Sequence, residues 1–421
     1  MIHSVSSSLR HSLAMLRLPS ALALAAWLSA EAASANEVTD WNTKAAALVN
    51  DQSPMEQTRS FAIVQLAVHD ALNAIDQRHA PYSFDARARG ALPAAAVAAA
   101  AHDALIALVP TRSGEVDAWF VDALARLPEC DARARGIDVG HAAAEHVLGL
   151  RRSDDVAGAL AEPYVAGDQP GDYQATPPFD VVVGAGWGKL PTFATPRASA
   201  FRPAPPPALD SRRYTRDYEE VESIGAEGSS TRTAEQSQIA DFWYESSATG
   251  WLRIANGVAT EKNLDEWESA RVLALVSMAL ADGFINGFDA KYHFDYWRPI
   301  TAIRAGDRDG NRRTEGGPSW TPYCDTPPVA DYPSTHSVLG AAAAAVLARQ
   351  FGDRTAFSID SLSLPGVTRR FESFSQAAQE NADSRVYCGI HWRTSTRAGL
   401  AQGRRIGEFV FEHELGADSQ R

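Results

Sequence analysis

Tyr332-Pro333-Ser334-Thr335-His336-Ser337, followed at once by the alanine-rich apolar run Val338 to Phe351, decides how the rest of the chain is read. Proline fixes the approach, and Ser334 or Thr335 is a strong N-cap candidate with helix-forming sequence behind it. A helix N-terminus aims free N–H groups outward and favours anions through its dipole. The segment therefore reads either as half of an oxyanion site with a titratable histidine at its edge, or as an ordinary cap with a polar neighbour. The flanking sequence decides between them.

Upstream, Phe288 to Arg304 reads FDAKYHFDYWRPITAIR. Lys291 and Arg298 are seven apart, two helical turns, which predicts both cations on one helix face. Pro299 predicts that this helix ends or kinks there, with Arg298 near its C-terminal end. The intervening Tyr292, Phe294, Tyr296 and Trp297 belong inside a protein, and cations held on a buried helix require an anion. Downstream, Ser384 to Arg393 reads SRVYCGIHWR. Arg385 and His391 are six apart, which is not one helix face, and Gly389 between them suggests a turn. His391 is expected to open a helix running to about Glu412. Gly399, Gly403 and Gly407 give that helix a stripe of small residues for close backbone packing. Cys324 and Cys388 lie near these motifs and form the candidate disulfide, leaving Cys130 over.

The remaining sequence is helical in pattern. Phe61 to Ile75, Ala94 to Leu108, Glu115 to Leu127 and Val139 to Arg151 have apolar residues at helical spacing, enough for a bundle. His69-Asp70 and His102-Asp103 sit in the related stretches AVHDALNA and AAHDALIA. Adjacent helical residues diverge by about 100°, so each pair reads as polar trim on a packed helix rather than as a metal site. His141 and His146 read the same way. Pro170 to Pro207 is too rich in proline for regular helix, while its aromatics favour an ordered wrap that forms a wall of the site. Helical pattern resumes near Thr233 and continues from Leu264 to Ile285, and no stretch shows sustained strand alternation. The fold class is mainly α. Glu245 or Asp241 is the candidate carboxylate for fixing the planes of Arg298 and Arg385.

Of the 421 residues, 45% are hydrophobic and 22% charged, as expected of a globular protein. Residues 1–35 read as a signal peptide: Arg10, His11 and Arg17 precede the apolar run Leu18 to Ala30, and Ala33-Ser34-Ala35 has the form of a cleavage site. The expected location is therefore outside the cytoplasm, periplasmic or secreted. Without that leader the balance is 37 − 51 = −14. Such acidity argues against nucleic acid and anionic membrane as partners. No integral membrane segment is expected after the leader; the nearest approach, Leu92 to Val109, carries Pro93, His102 and Asp103.

Taken together, Lys291/Arg298-Pro299, Pro333-Ser334-Thr335-His336 and Ser384-Arg385/His391 match the three-part pattern of the type 2 phosphatidic acid phosphatases and vanadium-dependent haloperoxidases, in order and in internal spacing. The motifs cover about Thr233 to His413. The helical N-terminal half and leader resemble the soluble bacterial haloperoxidase-like branch. The resemblance implies helical bundles of the acid phosphatase/haloperoxidase type, divided as an N-terminal helical region (36–165), an ordered loop rich in Pro, Gly and aromatics (166–230) and the site-bearing helical domain (231–421).

It also implies roles. Lys291, Arg298 and Arg385 would hold the oxygens of vanadate, with Ser334 and the Thr335 amide adding hydrogen bonds. His391 would be the axial vanadium ligand, and His336 the general acid/base. Lys291 would polarise hydrogen peroxide, so that a halide is oxidised and passed to a small organic acceptor. In the phosphatase alternative the same cage takes phosphate and His391 is the nucleophile; a third reading is a non-catalytic oxyanion-binding protein. Three positions depart from the family pattern. Thr335 stands where Gly is usual, Ser395 where an Asp follows the axial histidine by four residues, and Val329 where haloperoxidases carry an aromatic or a second histidine. With Ser395 there, His391 either needs another partner to orient its ring or is a weaker nucleophile.

Overall fold

The computed structural model describes residues 36–417, so the expected leader lies outside the described residues. Helix starts fall where side chains take up free backbone N–H groups. Asn36 caps α1 (Glu37–Leu48), and a Ser53/Glu56 capping box opens α2 (Pro54–Ile75) with proline in its first turn. α3 (Pro93–Leu108), α4 (Ser113–Ala125), α5 (Asp131–Leu150) and the short α6 (Val156–Ala161) complete the first group. α7 (Arg212–Ile224), α8 (Ala234–Phe242) and α9 (Ser247–Glu261) lead to the 29-residue α10 (Glu266–Phe294), opened by an Asp265/Glu268 capping box. Then come α11 (Pro299–Arg304), α12 (Thr335–Phe351), the antiparallel hairpin β1 (Phe357–Asp360) and β2 (Thr368–Phe371), α13 (Phe374–Tyr387) and α14 (Arg393–His413). The chain is mainly α, and the hairpin is its one sheet among the described residues.

α10 is the central post. By length and composition it is apolar enough to cross a membrane, which the sequence reading did not expect of any segment. Here, however, 94% of its most apolar window is buried inside the protein. It packs against α2 on one side and α12 on the other. Mid-helix Asp282 is fully buried, and its carboxylate accepts the backbone N–H groups of Phe193, Ala194 and Thr195 at 2.6–2.9 Å. These bonds pin the proline-rich segment to the post.

That segment is tied to the main chain near the end of α10 as well. Trp297 N–H donates to the Gly171 carbonyl, Tyr173 N–H to Asp295, and Val183 N–H to Pro328, so it backs the main chain around Arg298. The loop ends sooner than expected, at Ser211, which caps α7. The sequence RRYTRDYEEVES is so polar that its apolar stripe of Tyr214, Tyr218 and Val221 went unread, yet all three are buried.

The alanine face of α12 lies against the glycine stripe of α14. A Cβ on Gly399, Gly403 or Gly407 would come within 2.6, 2.0 and 2.2 Å of the carbonyl oxygens of Ser334, Val338 and Ala342. No side chain fits there. The His69-Asp70 pair is more deeply buried than surface trim: Asp70 accepts the backbone N–H groups of Tyr82, Ser83 and Phe84 at 2.7–2.9 Å. Its work is to hold a turn.

Candidate oxyanion site

Lys291 lies in the last turn of α10, but Arg298 does not share its face. Asp295 ends the helix in the left-handed region (φ 48°), and Pro299 begins α11 with Arg298 as its N-cap. Proline stops a preceding helix but is well suited to a helix start, where its missing N–H costs nothing. The expected shared face is thus replaced by a sharp turn, which still brings both cations to one place.

Backbone carbonyls hold them there. Lys291 Nζ donates to Ala330 O at 2.6 Å and Asp331 O at 3.0 Å. Arg298 donates from Nε to Val329 O at 2.8 Å and from Nη1 to Ile390 O at 2.7 Å, with Pro327 O at 3.4 Å from Nη2. Val329 therefore contributes to the site through its main chain. Arg385, in the last turn of α13, donates from Nη1 to Trp243 O at 3.2 Å and lies 5.6 Å from the Tyr244 ring. All three cations are buried.

Ser334 caps α12 after a cis Tyr332–Pro333 bond. Its N–H donates to Ser395 O at 3.0 Å, tying the start of α12 to α14. The hydroxyls of Ser334 and Thr335 and Nε of Arg385 are buried without a protein partner. Buried donors left open together beside cations are what an oxyanion would satisfy. Thr335, where the family has Gly, thus adds a buried hydroxyl to the helix start.

His391 precedes α14, which begins at Arg393 rather than at the histidine. Its ring lies between Arg298 Nη1, 3.0 Å from Nε2, and the Asp331 carboxylate, 2.8 Å from Nδ1. The other Asp331 oxygen accepts from the Ser395 hydroxyl. Asp331 is the residue the sequence reading missed. Its signal was indirect: Ser395 left His391 in need of a partner, and an acid stood just before Tyr332-Pro333. The carboxylates expected near Arg298 and Arg385 are engaged elsewhere, Glu245 with Arg253 and Leu362 N–H, and Asp241 with the Tyr323 hydroxyl. Only the main chain of Glu245 reaches the site, its carbonyl lying 3.2 Å from His336 Nε2.

The electrostatics follow from burial and like charge. Burial, then Arg298 and Lys291, hold His391 well below the usual histidine range. Burial, then Arg385, do the same for His336, with Lys291 and Arg298 adding to the effect and the Glu245 carbonyl opposing it. Both shifts favour the neutral form of the ring. Burial and Arg298 also depress Lys291, and burial brings Arg385 down to about 10. Burial pushes the Asp331 carboxyl up to about 7 against the pull of Arg298, Ser395 and Lys291. Three cations against one carboxylate leave an uncompensated excess of positive charge in a buried space, matched to an oxyanion and hostile to a metal cation. The donors present fit vanadate or phosphate.

Cys324 and Cys388 are disulfide-bonded, and Cys130 is free and exposed. The bridge joins the segment leading to Pro327 to the turn between Arg385 and His391. His102 and His141 lie elsewhere, both on Asp103.

Residues 271–416 match the family described as the second helical-bundle domain of vanadium chloroperoxidase (VCPO). Vanadium chloroperoxidase from Curvularia inaequalis is 27% identical over 176 residues; that match spans 31% of this chain and only 28% of the length of the curated relative. Among solved structures, one described as the first bacterial vanadium-dependent iodoperoxidase superposes with TM-score 0.78 at 28% identity, covering 91% of this chain and 97% of its own. A bacterial vanadium-dependent chloroperoxidase in its holo form gives 0.71 at 19% identity over 86% of this chain and 93% of its own, a likeness of fold.

Proposed function

We propose that this chain, whose motifs, second helical bundle and overall fold are those of the vanadium-dependent haloperoxidase superfamily, is a vanadate-dependent haloperoxidase that oxidises a halide with hydrogen peroxide. The observation that carries the proposal is the cage itself. Lys291, Arg298 and Arg385 are buried, donors of Ser334, Thr335 and Arg385 are buried with no partner among the described residues, and burial with these cations lowers both His336 and His391.

In this reading Lys291, Arg298 and Arg385 would neutralise the oxyanion, Ser334 and Thr335 would donate hydrogen bonds to it, and His391 would hold it through Nε2. Vanadate, when bound, supplies a Lewis acid that activates hydrogen peroxide towards halide. His336 moves the protons. The Glu245 carbonyl can only accept, so it fixes the His336 proton on Nε2 and leaves Nδ1 as the basic atom. Burial first, and then Arg385 with Lys291 and Arg298, disfavours protonation of that atom, which would serve as the base towards hydrogen peroxide. A small organic molecule then receives the oxidised halogen. The leader-like residues 1–35 support export to the periplasm or medium.

The test uses purified protein with orthovanadate, hydrogen peroxide and bromide or iodide, following halogenation of a dye. Halogenation that needs vanadium and vanishes in His391→Ala is the expected result. Vanadium-independent phosphate release from a chromogenic monoester, inhibited by vanadate, would replace the proposal with the phosphatase reading. Tight oxyanion binding with neither activity would leave a binding protein.

A further inference from the structure

The hydrogen-bond pattern around His391 fixes its tautomer. Arg298 Nη1 can only donate, so His391 Nε2, 3.0 Å away, carries the lone pair. The ring proton is then on Nδ1, pointing at Asp331 Oδ1 at 2.8 Å. Asp331 is itself held, since its second oxygen accepts from the Ser395 hydroxyl and the carboxylate has no exposed surface. Its main-chain carbonyl meanwhile accepts from Lys291. One residue thus fixes both a cation of the cage and the histidine beside it.

Ser395 occupies the position four residues after His391 where the family pattern has an aspartate. In this chain the carboxylate comes instead from the segment before α12, and the serine supports it. We infer that Asp331, oriented by Ser395, is the positioning residue that holds the His391 ring in the tautomer with its lone pair on Nε2, the atom that Arg298 would yield to an oxyanion, in place of the aspartate expected at 395. The inference rests on the reading of His391 as the axial partner. It assigns Asp331 no contact with substrate. A carboxylate behind a ligating histidine fixes the ring and raises its basicity, and loss of such a partner typically weakens the site by about 10- to 100-fold.

Three variants test this: Asp331→Ala, Ser395→Ala and the exchange Asp331→Ser/Ser395→Asp. The readouts are the vanadate dissociation constant by titration calorimetry, the His391 ring-nitrogen shifts in 15N-histidine-labelled protein without oxyanion, and the melting temperature. Asp331→Ala should weaken vanadate binding by about 10- to 100-fold and lose the single Nδ1–H tautomer. Ser395→Ala, which keeps carboxylate and packing, should weaken it by roughly threefold, about the loss of one modest hydrogen bond. The exchange should recover most of the affinity, an outcome that a purely structural role for Asp331 would not give. Vanadate affinity within about twofold of the parent in both alanine variants, or an exchange no tighter than Asp331→Ala, would overturn the assignment. If the parent chain itself does not bind vanadate, the proposed function falls. The tautomer measured without oxyanion then decides the role of Asp331 alone: loss in Asp331→Ala supports it and an unchanged ring refutes it.

Discussion

Two helix pairs in this molecule are built alike and differ in what they carry. In the first, Gly136 and Gly140 of α5 face α3, and a Cβ on either would fall 2.5 Å from Leu92 O or 2.4 Å from Ala96 O. In the second, Gly399 and Gly403 of α14 face α12 in the same way. Leu92 N–H donates to Ala132 O at 2.8 Å, and Ser334 N–H donates to Ser395 O at 3.0 Å. In both pairs the N-cap of an alanine-rich helix is tied to a residue four before a glycine. The first pair caps with leucine, and the charged residues flanking Ala132, Asp131 and Arg133, are not buried. The second caps with serine and sits among three buried cations and two histidines. Close helix packing is therefore the frame, and the chemistry comes from a few residues set at one end of it.

The histidines differ in sign as well. For His102, burial is outweighed by the hydrogen bonds its ring donates to Asp103 and Asp117, which raise it above the usual range. His336 and His391 are lowered by burial and by cations.

The strongest way to break the comparison is to remove a charge from the second pair and to transplant the cap to the first. Arg385→Ala should cut vanadate affinity and halogenation by about 10²- to 10³-fold, while Leu92→Ser/Ala132→Ser should create no oxyanion binding, both read by calorimetry. Next in size, Cys324→Ser should cost about 2–4 kcal/mol of stability. Hydrogen exchange should show the loosening around Arg385–His391 and leave α3 and α5 protected. Overpacking should cost about 1–3 kcal/mol in both Gly140→Ala and Gly403→Ala, measured by denaturant unfolding. Vanadate affinity of the folded protein should fall only in the second.

The smallest effect is a contrast in pH. The contribution of His102, whose folded pKa is raised, is fully present below about 6.5 and is lost as the pH rises through its folded value. His102→Asn should therefore cost roughly 0.5 kcal/mol at pH 6 and almost nothing at pH 9, the exposed Asp117 limiting its size. For His336 and His391 the sign reverses: below about 6.5 the unfolded chain binds protons that the fold refuses, so stability drops as the pH falls. His336→Gln should flatten that acid limb.

The parts most legible in sequence were those with strong local rules. Alanine runs, glycine at every fourth position and capping residues marked α3, α12 and α14, and the three motifs located all of the cage cations. The misreadings have physical causes. Pro299 reads as a helix end in sequence, but proline both stops and begins helices, and nothing local says which. α7 was hidden by its charge. Asp331 could not be assigned because its partner lies 60 residues away, across a turn that only tertiary packing closes. Glu245 has nothing local to show its partner, and Arg253 holds its side chain.

The segment from Pro327 to Asp331 holds Lys291 and Arg298 with carbonyl oxygens, and every residue type has a carbonyl. The half-buried side chains at 327 to 329 are therefore open to variation without removing either grip, whereas Ala330 is fully buried. The lining of the site and the grip on its charge can accordingly evolve apart, and mutagenesis aimed at new acceptors should begin in this segment and leave Asp331 untouched.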